Sequence, residues 1–197
     1  MEAVNPGRQE AYELLRQYTS NDALIKHALA VEAVMRHFAG RFGQDAEKWG
    51  VVGLIHDLDY EQFSQEHCYK TAEILREKQW PQEYIRAVLA HGWGHCTDVE
   101  PQTELERTLY AVDELTGLVT TTALVRPSRS LEDLTAKSVL KKWKDRTFAA
   151  KIDRELIAKG AAMLGMDLAD LITETIAGMR PIAAELGLQG GPGGGAS

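Results

Sequence analysis

The chain has 197 residues and a net charge of -7 at neutral pH, from 29 acidic and 22 basic side chains. That length suits one domain with a full hydrophobic core, and the acidic balance excludes a general nucleic-acid binder, which needs clustered Lys and Arg against phosphate. Two cysteines, Cys68 and Cys96, are too few for a disulfide framework. There is no secretory apolar segment near Met1 and no apolar run approaching the ~20 residues that span a bilayer, so a reduced, cytoplasmic protein without a membrane segment is expected.

Apolar spacing is helical almost throughout, with no internal repeat and no sustained strand alternation, which predicts an all-α bundle. A first helix covers about Arg8 to Tyr18. The cluster Thr19-Ser20-Asn21-Asp22 then caps a long second helix to about Phe42, whose core stripe Leu24, Ala28, Val31, Val34, Met35 and Phe38 also carries His27. His37 falls off that stripe, as a surface residue would. A third helix from Asp45 presents Trp49, Val52 and His56, with Gly53 beside them to allow close helix approach.

A polar turn from Asp59 to Gln65 leads to a fourth helix, about Glu66 to Lys78, with His67 at its start. The next helix follows Pro81, carries Tyr84, Val88 and His91 on one face, and stops at Gly92-Trp93-Gly94. A sixth, about Thr103 to Thr122, sets Leu105, Leu109, Val112 and Asp113 together. Beyond Pro127, Ser130-Leu131-Glu132-Asp133 has the form of a capping box, and helices continue to about Leu186. The organisation expected is an N-terminal helix (1–20), a metal-binding core (21–125), a C-terminal helical extension of the same domain (126–187) and a disordered Gly-rich tail (188–197).

In chain order the helices carry His27, His56-Asp57, His67, His91 and Asp113. A buried polar group without a partner costs a few kcal/mol, so six such groups on apolar stripes need a common partner, and a metal supplies one. At the end of a helix His56 and Asp57 can converge on one ion, joined by His27 and Asp113. Asp57 has a second oxygen and can bridge to another ion held by His67 and His91. Two ions ~3.5–4 Å apart would trap a hydroxide and polarise a phosphoryl oxygen. Mixed imidazole and carboxylate ligands suit manganese, iron, cobalt, nickel or zinc, with magnesium less suited to four histidines.

This order of ligands resembles the HD-domain superfamily of metal-dependent phosphohydrolases. The resemblance runs from Asp22 to Thr122 through HALAVEAVMRHFA, WGVVGLIHDLDYE, EHCYKTAEILRE, YIRAVLAHG and LYAVDELTGLV, and ALVRPSRSLEDLTAKSVLKKWKDRTFAAKIDRE is similar to a subgroup of bacterial predicted hydrolases. It implies a single-domain helical bundle with its metal site in the core cleft, one or two divalent metal ions, and His27, His56, Asp57 and Asp113 as ligands. The two further histidines of dinuclear members correspond to His67 and His91. Leu58-Asp59-Tyr60 stands where cyclic-dinucleotide phosphodiesterases have Gly-Lys, which argues against that substrate.

The function expected is hydrolysis of a phosphomonoester or phosphodiester, nucleotide-like and small, by metal-activated hydroxide at Asp57, with His95 or Lys70 assisting the leaving group. No nucleic-acid polymer or membrane partner is expected. A diiron oxygenase cleaving C–C or C–P bonds uses the same six ligands, and a non-catalytic nucleotide sensor keeps the fold without turnover. Between Arg126 and Arg154 nine basic residues face four acidic ones, a local excess of five that leaves the remainder at -12. Arg126 and Arg129 are the substrate-contact candidates there, since guanidinium pairs with phosphate bidentately. Lys137, Lys141, Lys142, Lys144 and Arg146 read as a solvated face. Trp93 could stack on a base. A zinc site from His67-Cys68 and His95-Cys96 lacks the usual ligand spacing.

Overall fold

Residues 5–190 are described by the computed structural model, and every helix or strand among them is a helix. The first, α1 (Arg8–Tyr18), precedes a loop in which the Asn21 side chain accepts from the backbone amides of Ala23 and Leu24, at 2.8 and 3.3 Å. That cap starts α2 (Asp22–Phe42), which stops where Gly43 takes a left-handed φ of 66°. Asp45 caps α3 (Ala46–Ile55) in the same way.

The packing of the helices centres on α2, which lies against α3, α6 (Glu104–Leu124) and α9 (Leu168–Met179). Every residue of α3 from Trp49 to Ile55 is buried. Gly53 explains how close α3 comes: a Cβ there would lie 3.0 Å from the Val31 carbonyl oxygen of α2. Glu32, itself buried, accepts from Arg8 Nε at 2.7 Å and Arg36 Nε at 2.9 Å and so ties α1 to the pair. The helices α4 (Tyr69–Glu77) and α5 (Gln82–His91) pack on each other, and α5 reaches α6 and α3. Thr103 and Glu106 form a reciprocal capping box that starts α6.

After α6 come α7 (Ala136–Trp143), α8 (Arg154–Met163), α9 and α10 (Ala183–Leu186), with α8 on α6 and α7 on α9. No helix among the described residues is long and apolar enough to cross a membrane.

Four local expectations are corrected. The fourth helix does not begin at Glu66: a single 3-10 turn, Ser64–Glu66, is followed by His67 in extended backbone (ψ 141°) and Cys68 at φ 68°, and α4 starts only at Tyr69. The Ser130-to-Asp133 box does not start a helix, because Ser130 Oγ caps only a turn at Glu132 and the α7 cap is Thr135, which accepts from Ser138 N. Leu188 is buried and its carbonyl accepts from Leu131 N at 2.8 Å, so ordered packing extends beyond residue 187, while the tail from residue 191 lies outside the described residues. His37, expected at the surface, is half-buried and pairs with Glu174 at 2.7 Å, bridging α2 and α9.

Candidate metal centre

Helix geometry alone fixes the orientation of two of the four imidazoles. His56, at the C-terminal end of α3, places its Nδ1 2.7 Å from the Gly53 carbonyl, and His91, at the end of α5, places Nδ1 2.5 Å from the Val88 carbonyl. A carbonyl only accepts, so each Nδ1 carries a proton and each Nε2 is the nitrogen left to face the carboxylates or a metal. His67 reaches the same state differently, donating Nδ1–H to Asp59 Oδ1 at 2.8 Å. Asp59 is itself fully buried and accepts from Thr71 N at 2.8 Å. For His27 the partner is Thr116 Oγ1 at 3.4 Å, a hydroxyl that donates to the Asp113 carbonyl and is left to accept.

All four Nε2 atoms turn to two carboxylates. His27 Nε2 lies 2.9 Å from Asp113 Oδ1 and 3.7 Å from Asp57 Oδ2, and His56 Nε2 lies 3.3 Å and 3.5 Å from the same atoms. The other oxygen, Asp57 Oδ1, is 3.5 Å from His67 Nε2 and 3.4 Å from His91 Nε2. Asp57 thus divides the centre, one oxygen toward each pair of histidines. Ligands ~2.1 Å from a common ion stand ~3.0–3.4 Å apart, close to these separations. Residue chemistry fits as well: His56 Nε2 is buried and has no hydrogen-bond partner, a cost that coordination would remove. His27, His56, Asp57 and Asp113 form one group able to hold an ion, and His67, Cys68 and His91 another.

Charge is strongly coupled here. Burial would drive the proton from His56, yet the flanking Asp57 and Asp113 carboxylates outweigh it and raise its pKa well above the ordinary imidazole value. Burial disfavours the ionised form of both carboxylates, but the imidazoles around them, His56 foremost, hold Asp57 and Asp113 well below the usual range. Against its own burial, His67 is raised to about 9 by its bond to Asp59 and the charge of Asp57. Glu114, beside Asp113, is pushed up to about 7 by burial and its neighbour's charge.

Residues 24–118 match the family model described as HD domain. The chain belongs to the HD-domain superfamily. No solved structure matches the chain. HD-domain proteins are largely metal-dependent phosphohydrolases and bind divalent metals, and the matched segment contains every one of the six His and Asp residues above.

The HD centre opens into a cleft of about 250 Å³, lined by His27, Asp57, His67, His91 and Asp113, and at its mouth by His95, Glu114 and Lys151. Of the other expected residues, His95 is therefore at the cleft, and exposed. Lys70 is not: it pairs with Glu73 at 2.9 Å and covers the Phe63 ring. Arg126 is held elsewhere, by Asp133 at 2.6 Å and Ser138 at 3.1 Å, and Arg129 lines a neighbouring cavity. Trp93 packs on Tyr110 beneath Lys159 rather than lining the cleft. Cys68 Sγ is 3.1 Å from Cys96 Sγ and 3.8–3.9 Å from both ring nitrogens of His91, so it lies along the lone pair of neither.

Sequence reading missed Asp59, Thr116 and Lys151. Asp59, two residues past the His-Asp doublet, was legible as a carboxylate in the right place. Lys151 was not, because only the fold brings it to the cleft: buried Arg154 donates to five carbonyls, of Trp143, Asp145, Phe148, Ala149 and Ile152, and so shapes the loop that carries it. Lys137, Lys141, Lys144 and Arg146 are exposed, as a solvated face requires.

Proposed function

We propose that this HD-domain protein is a dinuclear metal-dependent phosphohydrolase acting on a small phosphomonoester or phosphodiester. The observation that carries the reading is the division of Asp57, with Oδ2 toward His27 and His56 and Oδ1 toward His67 and His91. On this reading His27, His56, Asp57 and Asp113 hold one ion and His67, His91 and Asp57 the other. Metals that accept this mixed nitrogen and oxygen set are manganese, iron, cobalt, nickel and zinc. Such ions lower the pKa of bound water and neutralise charge on phosphoryl oxygens.

The rest of the work falls to the chain. Each imidazole keeps its Nδ1 proton on a fixed partner, so Nε2 is the nitrogen offered to a metal and only the Nε2 proton has to leave when an ion binds. Lys151 and His95, at the cleft mouth, are placed to hold phosphate oxygens, the part assigned from sequence to Arg126. Buried walls at His56 and His91 exclude water from one side, which strengthens every electrostatic contact in the cleft.

The test is a hydrolysis panel on chelated protein reloaded separately with Mn, Co, Ni, Fe, Zn and Mg. The substrates are p-nitrophenyl phosphate and bis-p-nitrophenyl phosphate, and metal content is measured in parallel. Release of p-nitrophenol that follows metal content is expected. Two bound ions without any release would end the hydrolase reading, and dioxygen consumption by the iron form would replace it with the oxygenase that shares these ligands.

A further inference from the structure

A second cavity, of about 560 Å³, adjoins the metal cleft and shares two of its lining residues, His27 and Gly117. The path between them follows α6. Asp113, Gly117, Thr121 and Leu124 recur at helical spacing on one face, and at 1.5 Å per residue Thr121 and Leu124 stand roughly 12 and 16 Å beyond Asp113. Gly117 lines both cavities, and a Cβ added there would lie 3.5 Å from Ile152, an ordinary contact, so a side chain longer than alanine's is what would fill the space between them.

The chemistry of the second cavity differs from that of the first. Its wall is more apolar than polar, with Leu124 and Leu186 among its aliphatic groups, and two cations, Lys26 and Arg129, stand at it against a single carboxylate, Asp22. Leu124 is 41% exposed, an aliphatic surface open to a ligand. Among the described residues no aromatic side chain lines this cavity except His27, whose ring nitrogens already face Asp113 and Thr116. A base in this cavity would find no ring to stack on: Trp93 lies outside both cavities, and Tyr60 lines only the metal cleft. An aliphatic body with a second anionic group matches the apolar wall and the two cations, of which Arg129 lies beyond the end of α6.

We propose that the second cavity holds the organic body of the substrate, and that the substrate class is a phosphate ester of an extended aliphatic chain ending in a second anionic group. This rests on the phosphohydrolase reading for the placement of the phosphate. Lys26 and Arg129 bind the second anion, Leu124 and Leu186 cover the chain, and Gly117 leaves room for it beside His27.

Binding separates this inference from turnover. Calorimetry on the full chain loaded with manganese compares three non-hydrolysable probes: methylphosphonate, octylphosphonate and 8-phosphonooctanoate. The expected order is 8-phosphonooctanoate tightest, by about tenfold or more over methylphosphonate, with octylphosphonate between them. The Lys26→Ala, Arg129→Ala double variant, changed only at exposed positions, is expected to bring 8-phosphonooctanoate down to the affinity of octylphosphonate. Gly117→Leu should bring both down to methylphosphonate. Equal affinity of all three probes for the native chain overturns the proposal, as does an unchanged preference in the double variant or tighter binding of adenosine monophosphate than of 8-phosphonooctanoate. If the probe series holds while p-nitrophenyl phosphate is never hydrolysed, the cavity assignment stands and the hydrolase reading fails.

Discussion

His67 Nδ1 donates to Asp59 Oδ1 at 2.8 Å, so a carboxylate two residues beyond Asp57 orients an imidazole that itself faces Asp57. This indirect contact explains how His67 can serve the centre from a stretch of chain that is not helical. Asp59→Asn keeps an oxygen near Nδ1 but removes its charge. We expect the affinity for the second ion to fall about 10- to 100-fold, with the first ion retained, as read by metal titration of chelated protein. Two ions bound at native affinity would make Asp59 a purely structural residue.

Asp57 and His91 should differ in kind. Asp57→Ala removes the one carboxylate directed at both histidine pairs and is expected to abolish binding of both ions together with hydrolysis. His91→Ala leaves His27, His56, Asp57 and Asp113 in place, so about one equivalent should remain while activity falls strongly. Elemental analysis decides: one equivalent or less in fully metal-replete native protein would show that His67 and His91 hold no ion.

The contrast between these residues and the missed ones shows what sequence patterning carries. His27, His56, His91 and Asp113 were legible because each sits on or at the end of a regular helix whose apolar stripe already points it inward. His67 was legible as a residue but not as geometry. Its backbone, between a 3-10 turn and Cys68 at φ 68°, follows from the tertiary contacts of Asp59 with His67 and Thr71, and no local propensity encodes them. For Arg126, charge and proximity to the Asp113 helix suggested a ligand, whereas its own loop supplies the partner in Asp133. Lys151 carried no sequence signal, since its position depends on a buried guanidinium satisfying carbonyls of an irregular loop.

The pH response of chelator-treated protein follows from His67. Its pKa is raised from an ordinary 6.5 to about 9 in the fold, so the folded state binds the proton more tightly than the unfolded chain. The resulting stabilisation is fully present below pH ~6.5 and disappears as pH rises through about 9, with a ceiling of about 3 kcal/mol. Urea midpoints should therefore fall between pH 6 and 10, and His67→Gln should flatten that fall. Metal-loaded protein should not follow this trend, because coordination requires the neutral ring. A midpoint that rises with pH in the chelated native protein would contradict the assignment.

Arg154 tests whether the loop it supports belongs to the site. The side chain is 4% exposed and its three guanidinium nitrogens reach five carbonyls between Trp143 and Ile152, so Arg154→Met strands acceptors that no other cation is placed to satisfy. A loss of about 2–4 kcal/mol in stability is expected, since each hydrogen bond to a charged group contributes ~1.5–3 kcal/mol and part of the loop can turn its carbonyls to water. Arg154→Lys should not restore it, because an ammonium offers three donors at a single nitrogen in place of a planar fork. Metal content should not change, as every proposed ligand lies on α2, α5 or α6, just past the end of α3, or in the segment around His67. The deciding readout is KM for p-nitrophenyl phosphate. If Lys151 holds phosphate, KM rises with the loosened loop while metal content stays at the native value. A less stable variant with native KM would place Lys151 outside the binding site and leave anion contact to His95.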